Sequence, residues 1–114
     1  MVDTDRMRAL LDAEESDTRR LIASLSSDIK DLSAAREGDN SDDEHDPEGA
    51  TLAFERSQAD TLLRQSKERL TDIAEAVARL EDGTFGICVS CGKPIPDVRL
   101  EVRPYAQTCV ACAS

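Results

Sequence analysis

Apolar side chains recur at steps of three and four residues along the first third of the chain, which is the spacing of one helix face. No glycine or proline precedes Gly38, so we predict one long helix over residues 5–37. Glu14 and Thr18 interrupt the apolar positions, which otherwise form a narrow seam as in a coiled coil. The apolar positions are Met7, Leu10, Leu11, Leu21, Ile22, Leu25, Ile29, Leu32 and Ala35.

A second seam follows an acidic break in the pattern. Asp46 can cap the second helix, Pro47 suits the first helical position, and Gly83 suits a helix end. We therefore predict a helix from Asp46 to about Glu81. Its seam positions, which alternate steps of four and three, are Ala59, Leu63, Ser66, Leu70, Ile73, Val77 and Leu80.

The two predicted helices match in length, at about 32 residues or ~48 Å each. A short polar loop joins them, so we expect an antiparallel hairpin with seam against seam. A parallel homodimer through either seam is the alternative arrangement. Counting outward from the loop places Leu70 and Ile73 near Ile22 and Leu25.

All four cysteines lie in the last quarter of the chain, in two Cys-x-x-Cys pairs. This spacing predicts one tetrahedral zinc site with the four thiolates of Cys88, Cys91, Cys109 and Cys112 as ligands. Gly92 suits the tight turn after the first pair. Two disulfides or four buried thiols are the alternatives, but disulfides require an oxidising compartment.

The segment between the cysteine pairs contains three prolines, Pro94, Pro96 and Pro104. These prolines exclude a long helix. We predict short strand-like pieces around Ile95, Val98, Leu100, Val102 and Tyr105. The predicted fold is thus mainly α: an antiparallel helical hairpin (coiled coil) over residues 1–82 with an acidic tip at 38–49, followed by a small four-cysteine zinc-finger lobe over 83–114.

The composition of the chain argues against several classes of function. The net charge is −10, from 24 acidic and 14 basic residues, which argues against direct binding to DNA phosphates. No apolar run is long enough to span a membrane and the start does not resemble a signal peptide, so we expect a cytoplasmic protein. Because the zinc lobe at the base favours the hairpin within one chain, we also expect a monomer. No nucleophile–base pair or phosphate loop occurs, and a closed four-thiolate zinc site is structural. An enzyme is therefore not predicted.

The C-terminal residues carry a family resemblance. Residues 85–92 (Phe-Gly-Ile-Cys-Val-Ser-Cys-Gly), residues 99–104 (Arg-Leu-Glu-Val-Arg-Pro) and the last cysteine pair resemble the DksA/TraR family of DnaK-suppressor-type zinc-finger proteins. The resemblance implies a bacterial transcription regulator that binds RNA polymerase without contacting DNA. Its coiled coil would enter the secondary channel toward the catalytic centre, often together with ppGpp. A zinc-stabilised coiled-coil adapter or oligomerisation module with no polymerase role is the alternative.

The resemblance also implies functional residues at the tip. The family's tip motif is Asp-x-x-Asp-x-Ala. Alignment on Ala50 puts Glu48 and His45 at the acidic positions, whereas a shifted register puts Asp43 and Asp46 there. Asp43, Asp46, Glu48 and Ala50 are therefore the tip candidates, and the alternative is a solvated loop with a helix cap.

Two arginines of the lobe are further candidates. Arg103 matches an arginine that family members use for ppGpp, and Arg99 lies four residues before it. The lysine that family members use on the second helix falls at about Asp72, which has the opposite charge. Arg99 and Arg103 are thus candidate polymerase or nucleotide contacts, with a solvated surface as the alternative.

Overall fold

A computed structural model of the chain describes residues 3–38 and 47–113, with side chains for 3–34 and 50–113. Within these ranges the chain forms three helices: α1 (Thr4–Gly38), α2 (Pro47–Asp82) and α3 (Asp97–Val102). The first two pack along each other, and the molecule measures 62 × 26 × 19 Å. The mainly α hairpin with a small C-terminal lobe is confirmed. None of the described helices is long and apolar enough to cross a bilayer.

Local side chains and backbone groups define the helix ends. The Asp3 carboxylate accepts two hydrogen bonds, at 3.1 and 3.3 Å, from backbone N–H groups in the first turn of α1. Helix α2 begins at Pro47, where a missing N–H costs nothing. At its other end, Thr84 N donates to Arg79 O at 3.0 Å. Gly83 adopts a φ of 82° there, as expected of a glycine that ends a helix.

Two contacts between the long helices show that they are antiparallel. Arg8 of α1 lies 3.9 Å from Glu81 of α2, and Arg56 of α2 donates to the Ser33 hydroxyl at 2.7 Å. A step of 25 residues up α1, from Arg8 to Ser33, is matched by a step of 25 residues back along α2. Both pairs are centred between residues 44 and 45 of the sequence, so one register holds along the hairpin.

The predicted pairing of Leu70 and Ile73 with Ile22 and Leu25 was centred near residues 47 and 48, and this register was wrong. Ile73 packs instead in a buried cluster with Leu11, which lies about three helical turns farther from the tip than Ile22. The midpoint of the observed register, between residues 44 and 45, lies inside the predicted 38–49 loop. The predicted pairing was centred too far toward α2, so its count outward from the loop was not symmetric.

The strand-like pieces predicted between the cysteine pairs were also wrong, because residues 97–102 form the short helix α3. Pro96 precedes it with φ −56° and ψ 138°, and Arg103 N donates to Arg99 O at 2.8 Å at its end. The gap between Pro96 and Pro104 is too short for a long helix but accommodates this single element. Leu100 is its fully buried residue.

The core lies at the base of the hairpin, where the lobe packs against both long helices. One cluster of buried residues spans α1 and the lobe, and it consists of Met7, Cys88, Ile95, Leu100 and Ala106. A second cluster contains Leu11, Ile73 and Ala76. Leu80 and Phe85 pack against both clusters. The hairpin base and the lobe therefore share one apolar interior.

Candidate metal centre and the surfaces beside it

The four cysteine sulfur atoms lie within 4.8 Å of one another, and all four are free thiols. Cys91 Sγ and Cys109 Sγ are 3.8 Å apart. Four sulfurs placed tetrahedrally at about 2.3 Å from a zinc ion have edges of roughly 3.8 Å, whereas a disulfide needs about 2.05 Å. The arrangement is a four-cysteine metal site and not a pair of disulfides.

Backbone hydrogen bonds fold the first cysteine pair into a knuckle. Cys88 N donates to Lys93 O at 2.8 Å, and Gly92 N donates to Cys88 O at 2.9 Å. Gly92 has a φ of 74°, a left-handed conformation that a residue with a Cβ rarely adopts. Ile95 N then donates to Gly86 O at 2.7 Å. These bonds return the chain beside itself and form the turn that carries the buried Cys88 and the exposed Cys91.

The second pair forms a similar turn. Cys112 N and Ala113 N both donate to Cys109 O, at 3.1 and 3.0 Å. Val89 N of the first knuckle donates to Gln107 O at 2.9 Å. This bond joins the two knuckles, so the four thiols are brought together by the backbone of the chain.

The thiols influence one another's ionisation. A backbone hydrogen bond from Cys109, together with others from Cys91 and Ser90, lowers the pKa of Cys88 to about 6. Side-chain hydrogen bonds with the other three cysteines raise the pKa of Cys112 to about 12. Without a cation, the four thiols therefore favour ionisation of Cys88 and disfavour ionisation of Cys112. A divalent cation would remove that conflict, because metal binding deprotonates all its thiol ligands.

A polar contact joins the lobe to α2. Gln107 Nε2 donates to Asp72 Oδ1 at 3.3 Å and to Glu75 Oε2 at 2.7 Å. Burial raises the pKa of Asp72, and the negative charges of Glu75 and Glu68 raise it further. The Gln107 amide thus donates hydrogen bonds to two carboxylates whose negative charges repel each other.

The two candidate arginines differ in their surroundings. Arg99 is half-buried, and its Nε donates to Thr108 O at 2.8 Å. Arg103 is exposed, and its guanidinium carbon lies 5.7 Å from the centre of the Tyr105 ring. Arg69 of α2 lies 5.6 Å from the same ring. Arg99 therefore supports the fold of the second knuckle, while Arg103 remains accessible to a ligand or partner.

The tip candidates fall mostly outside the described residues. Asp43 and Asp46 lie beyond them, as does His45. Glu48 is in the first turn of α2, but its side chain is not among those described. Ala50 is exposed on α2.

Three exposed valines on the lobe were not singled out from the sequence. Val98 and Val102 of α3 are 75% and 80% exposed, and Val110 between the last two cysteines is 65% exposed. An alternating strand pattern would have placed Val98, Leu100 and Val102 on one face. Helical spacing separates Leu100 from the two valines, so a correct assignment of α3 would have revealed them.

Comparison with known proteins gives consistent results. Residues 83–114 match the family described as the prokaryotic dksA/traR C4-type zinc finger. General stress protein 16O of Bacillus subtilis is 31% identical over 104 residues, which cover 91% of this chain and 58% of that protein. The RNA polymerase-binding transcription factor DksA of Escherichia coli is 40% identical over 53 residues, which cover 45% of this chain and 35% of that protein. The match thus spans about three fifths or less of these two relatives.

A solved structure extends the similarity beyond the lobe. Transcription factor DksA2 from Pseudomonas aeruginosa superposes with a TM-score of 0.75 at 29% identity, over 95% of this chain and 78% of that one. The match therefore includes the hairpin as well as the four-cysteine lobe. With its long helical hairpin, its four clustered thiols and these relatives, the chain belongs to the DksA/TraR family.

Proposed function

We propose that this chain is a transcription regulator that binds RNA polymerase through the secondary channel, with the hairpin tip near the catalytic centre. Membership of the DksA/TraR family carries the proposal. One relative is described as an RNA polymerase-binding transcription factor. The net charge of −10 supports contact with a protein and not with DNA.

The shape of the chain supports this mode of action. The molecule is 62 Å long but only 26 and 19 Å across, so the hairpin can enter a narrow channel. The shared core at its base gives the lobe a fixed position from which to hold it. The lobe and the base would supply affinity, while the tip would supply the effect on catalysis.

We further propose that Cys88, Cys91, Cys109 and Cys112 hold one zinc ion. The sulfur spacing supports this assignment. Four thiolates fill the coordination of zinc and leave no position for a reacting water. The ion would stabilise the lobe, and the chain would act as a regulator and not as an enzyme.

At the tip, we propose that Asp43, Asp46, Glu48 and Ala50 form the effector segment. Carboxylates there would meet basic groups of the channel or change the electric field around the catalytic magnesium. The nucleotide ppGpp would be expected at Arg103. Asp72 and Glu75 lie on α2 beside the lobe, and their charges would oppose an anion, so we expect only a small effect of ppGpp.

The test measures binding to core RNA polymerase and the lifetime of open promoter complexes. A tip variant carries Asp43→Asn, Asp46→Asn and Glu48→Gln. We expect it to bind within a few-fold of the parent chain, yet to lose the parent's effect on complex lifetime.

A matched control carries the same loss of three charges on exposed carboxylates elsewhere along the hairpin, through Asp12→Asn, Asp28→Asn and Glu55→Gln. It should retain the effect. If the tip variant regulates like the parent, the tip carboxylates have no effector role. If the parent does not bind core polymerase, the adapter alternative replaces the proposed function.

A further inference from the structure

The zinc lobe carries a groove with apolar walls on its outer side. Its six lining residues are Pro96, Val98, Arg99, Val102, Arg103 and Val110. The three valines are at least 65% exposed. Charged residues make up 33% of the chain, so three exposed valines beside one another are unusual here. Clustered exposed apolar side chains commonly mark an interaction site.

The short helix α3 organises this groove, because its sides face different surroundings. Leu100 faces the core and is fully buried. Glu101 pairs with Arg6 of α1 at 3.3 Å. Val98 and Val102, one turn apart, point outward into the groove. No packing demand within the described part of the lobe explains why these two positions are apolar.

The charge of the groove indicates the chemistry of its occupant. Both charged residues that line it are arginines, Arg99 and Arg103, although the whole chain has a net charge of −10. Arg99 also donates to Thr108 O through Nε, which fixes its guanidinium at the groove wall. Arg103 lies against the Tyr105 ring. An apolar groove lined by these two cations is complementary to a segment that carries both carboxylates and apolar side chains.

We propose that this valine groove docks an acidic segment of RNA polymerase that inserts apolar side chains between Val98, Val102 and Val110. The proposal rests on the proposed function and specifies which surface of the lobe holds the polymerase and what that surface recognises. Apolar burial would supply most of the affinity, and the arginines would supply orientation. An anion that lacked apolar groups would leave the valines uncovered, and an anionic lipid surface would be repelled by the rest of the chain.

The first test compares dissociation constants for core polymerase. A triple variant carries Val98→Ser, Val102→Ser and Val110→Ser, and serine and valine have similar helix propensities. The matched control is Val89→Ser, which alters a valine of the same lobe that is 61% exposed and does not line the groove. We expect the triple variant to bind at least about tenfold more weakly and the control to stay within about twofold.

The second test addresses the acidic character of the occupant. Arg103→Gln removes one charge while keeping a polar side chain. It should weaken binding and reduce the dependence of the dissociation constant on salt concentration. An unchanged salt dependence would overturn the acidic part of the proposal.

The third measurement does not rely on the triple variant being folded. A p-benzoylphenylalanine at position 102, in an otherwise unchanged chain, is irradiated in the complex with core polymerase, and the cross-linked peptide is identified by mass spectrometry. We expect a segment with more acidic than basic residues and with apolar side chains. A cross-link to a basic segment or to nucleic acid, or none at all in a stable complex, would overturn the proposal.

The outcomes separate the two proposals. If the parent binds polymerase and the folded, zinc-loaded triple variant binds equally well, the valine groove is not the docking surface, while the proposed function stands. If the parent does not bind polymerase, the proposed function fails and this inference fails with it.

Discussion

Ile73 lies where the hairpin and the lobe meet, and its truncation should destabilise both. Its side chain is 1% exposed and packs with Leu11 and Ala76. Phe85 and Tyr105 pack against the same cluster. Ile73→Ala would leave a cavity that two long helices, joined by few large side chains, cannot easily close.

The magnitude follows from the burial. Replacement of a fully buried isoleucine by alanine costs about 2–5 kcal/mol in well-packed cores. Alanine returns a few tenths of a kcal/mol through its higher helix propensity. We therefore expect a loss of about 3 kcal/mol in the free energy of unfolding, out of a total of about 5–15 kcal/mol for a natural domain.

Urea unfolding of the zinc-loaded protein, followed by circular dichroism at 222 nm, measures this loss. The matched control is Leu62→Ala on the same helix, where the leucine is 49% exposed. The control should change the unfolding free energy by less than about 0.5 kcal/mol. A loss below about 1 kcal/mol for Ile73→Ala, or equal losses for both variants, would refute the packing described here.

Three further predictions concern the lobe. Cys91→Ser should reduce bound zinc from about one equivalent to less than half, measured by elemental analysis, while most helical dichroism survives. Gly92→Ala should cost about 1 kcal/mol in thermal unfolding, because its φ is 74° although no atom within 4 Å obstructs a Cβ. The pKa of Asp72 is raised by burial and by neighbouring carboxylates, so the folded chain binds its proton at higher pH than the unfolded chain. The parent's stability should therefore fall as pH rises from the unfolded pKa through the folded one, and Asp72→Asn should remove that part of a urea-midpoint profile.

The long helices and the thiol cluster were predictable because each depends on a strong local pattern. The absence of glycine and proline before Gly38 and the position of Pro47 set helix limits within a residue or two of those observed. The spacing of the cysteines defines two tight turns almost independently of the rest of the chain. The Asp3 cap likewise uses groups only two and three residues apart.

Features that depend on contacts between distant segments were harder to predict from the sequence. The hairpin register brings Leu11 against Ile73, and the apolar spacing along one helix does not by itself say which residues of the other helix it meets. The residues of α3 fit both an alternating and a helical pattern. The choice is made by Leu100, which alone reaches the core while Val98 and Val102 do not.

The shared core has a consequence for how the two ends of the molecule act together. Cys88 is both a member of the thiol cluster and a member of the apolar cluster that includes Met7 of α1. Phe85, three residues before Cys88, packs against both that cluster and the cluster around Ile73. The geometry of the metal site therefore sets the position of the lobe against both long helices. Because the proposed effector residues lie at the far end of those helices, any change of angle at this base is multiplied by the length of the hairpin. A zinc ion that performs no chemistry would in this way still determine where the tip lies relative to whatever the lobe holds.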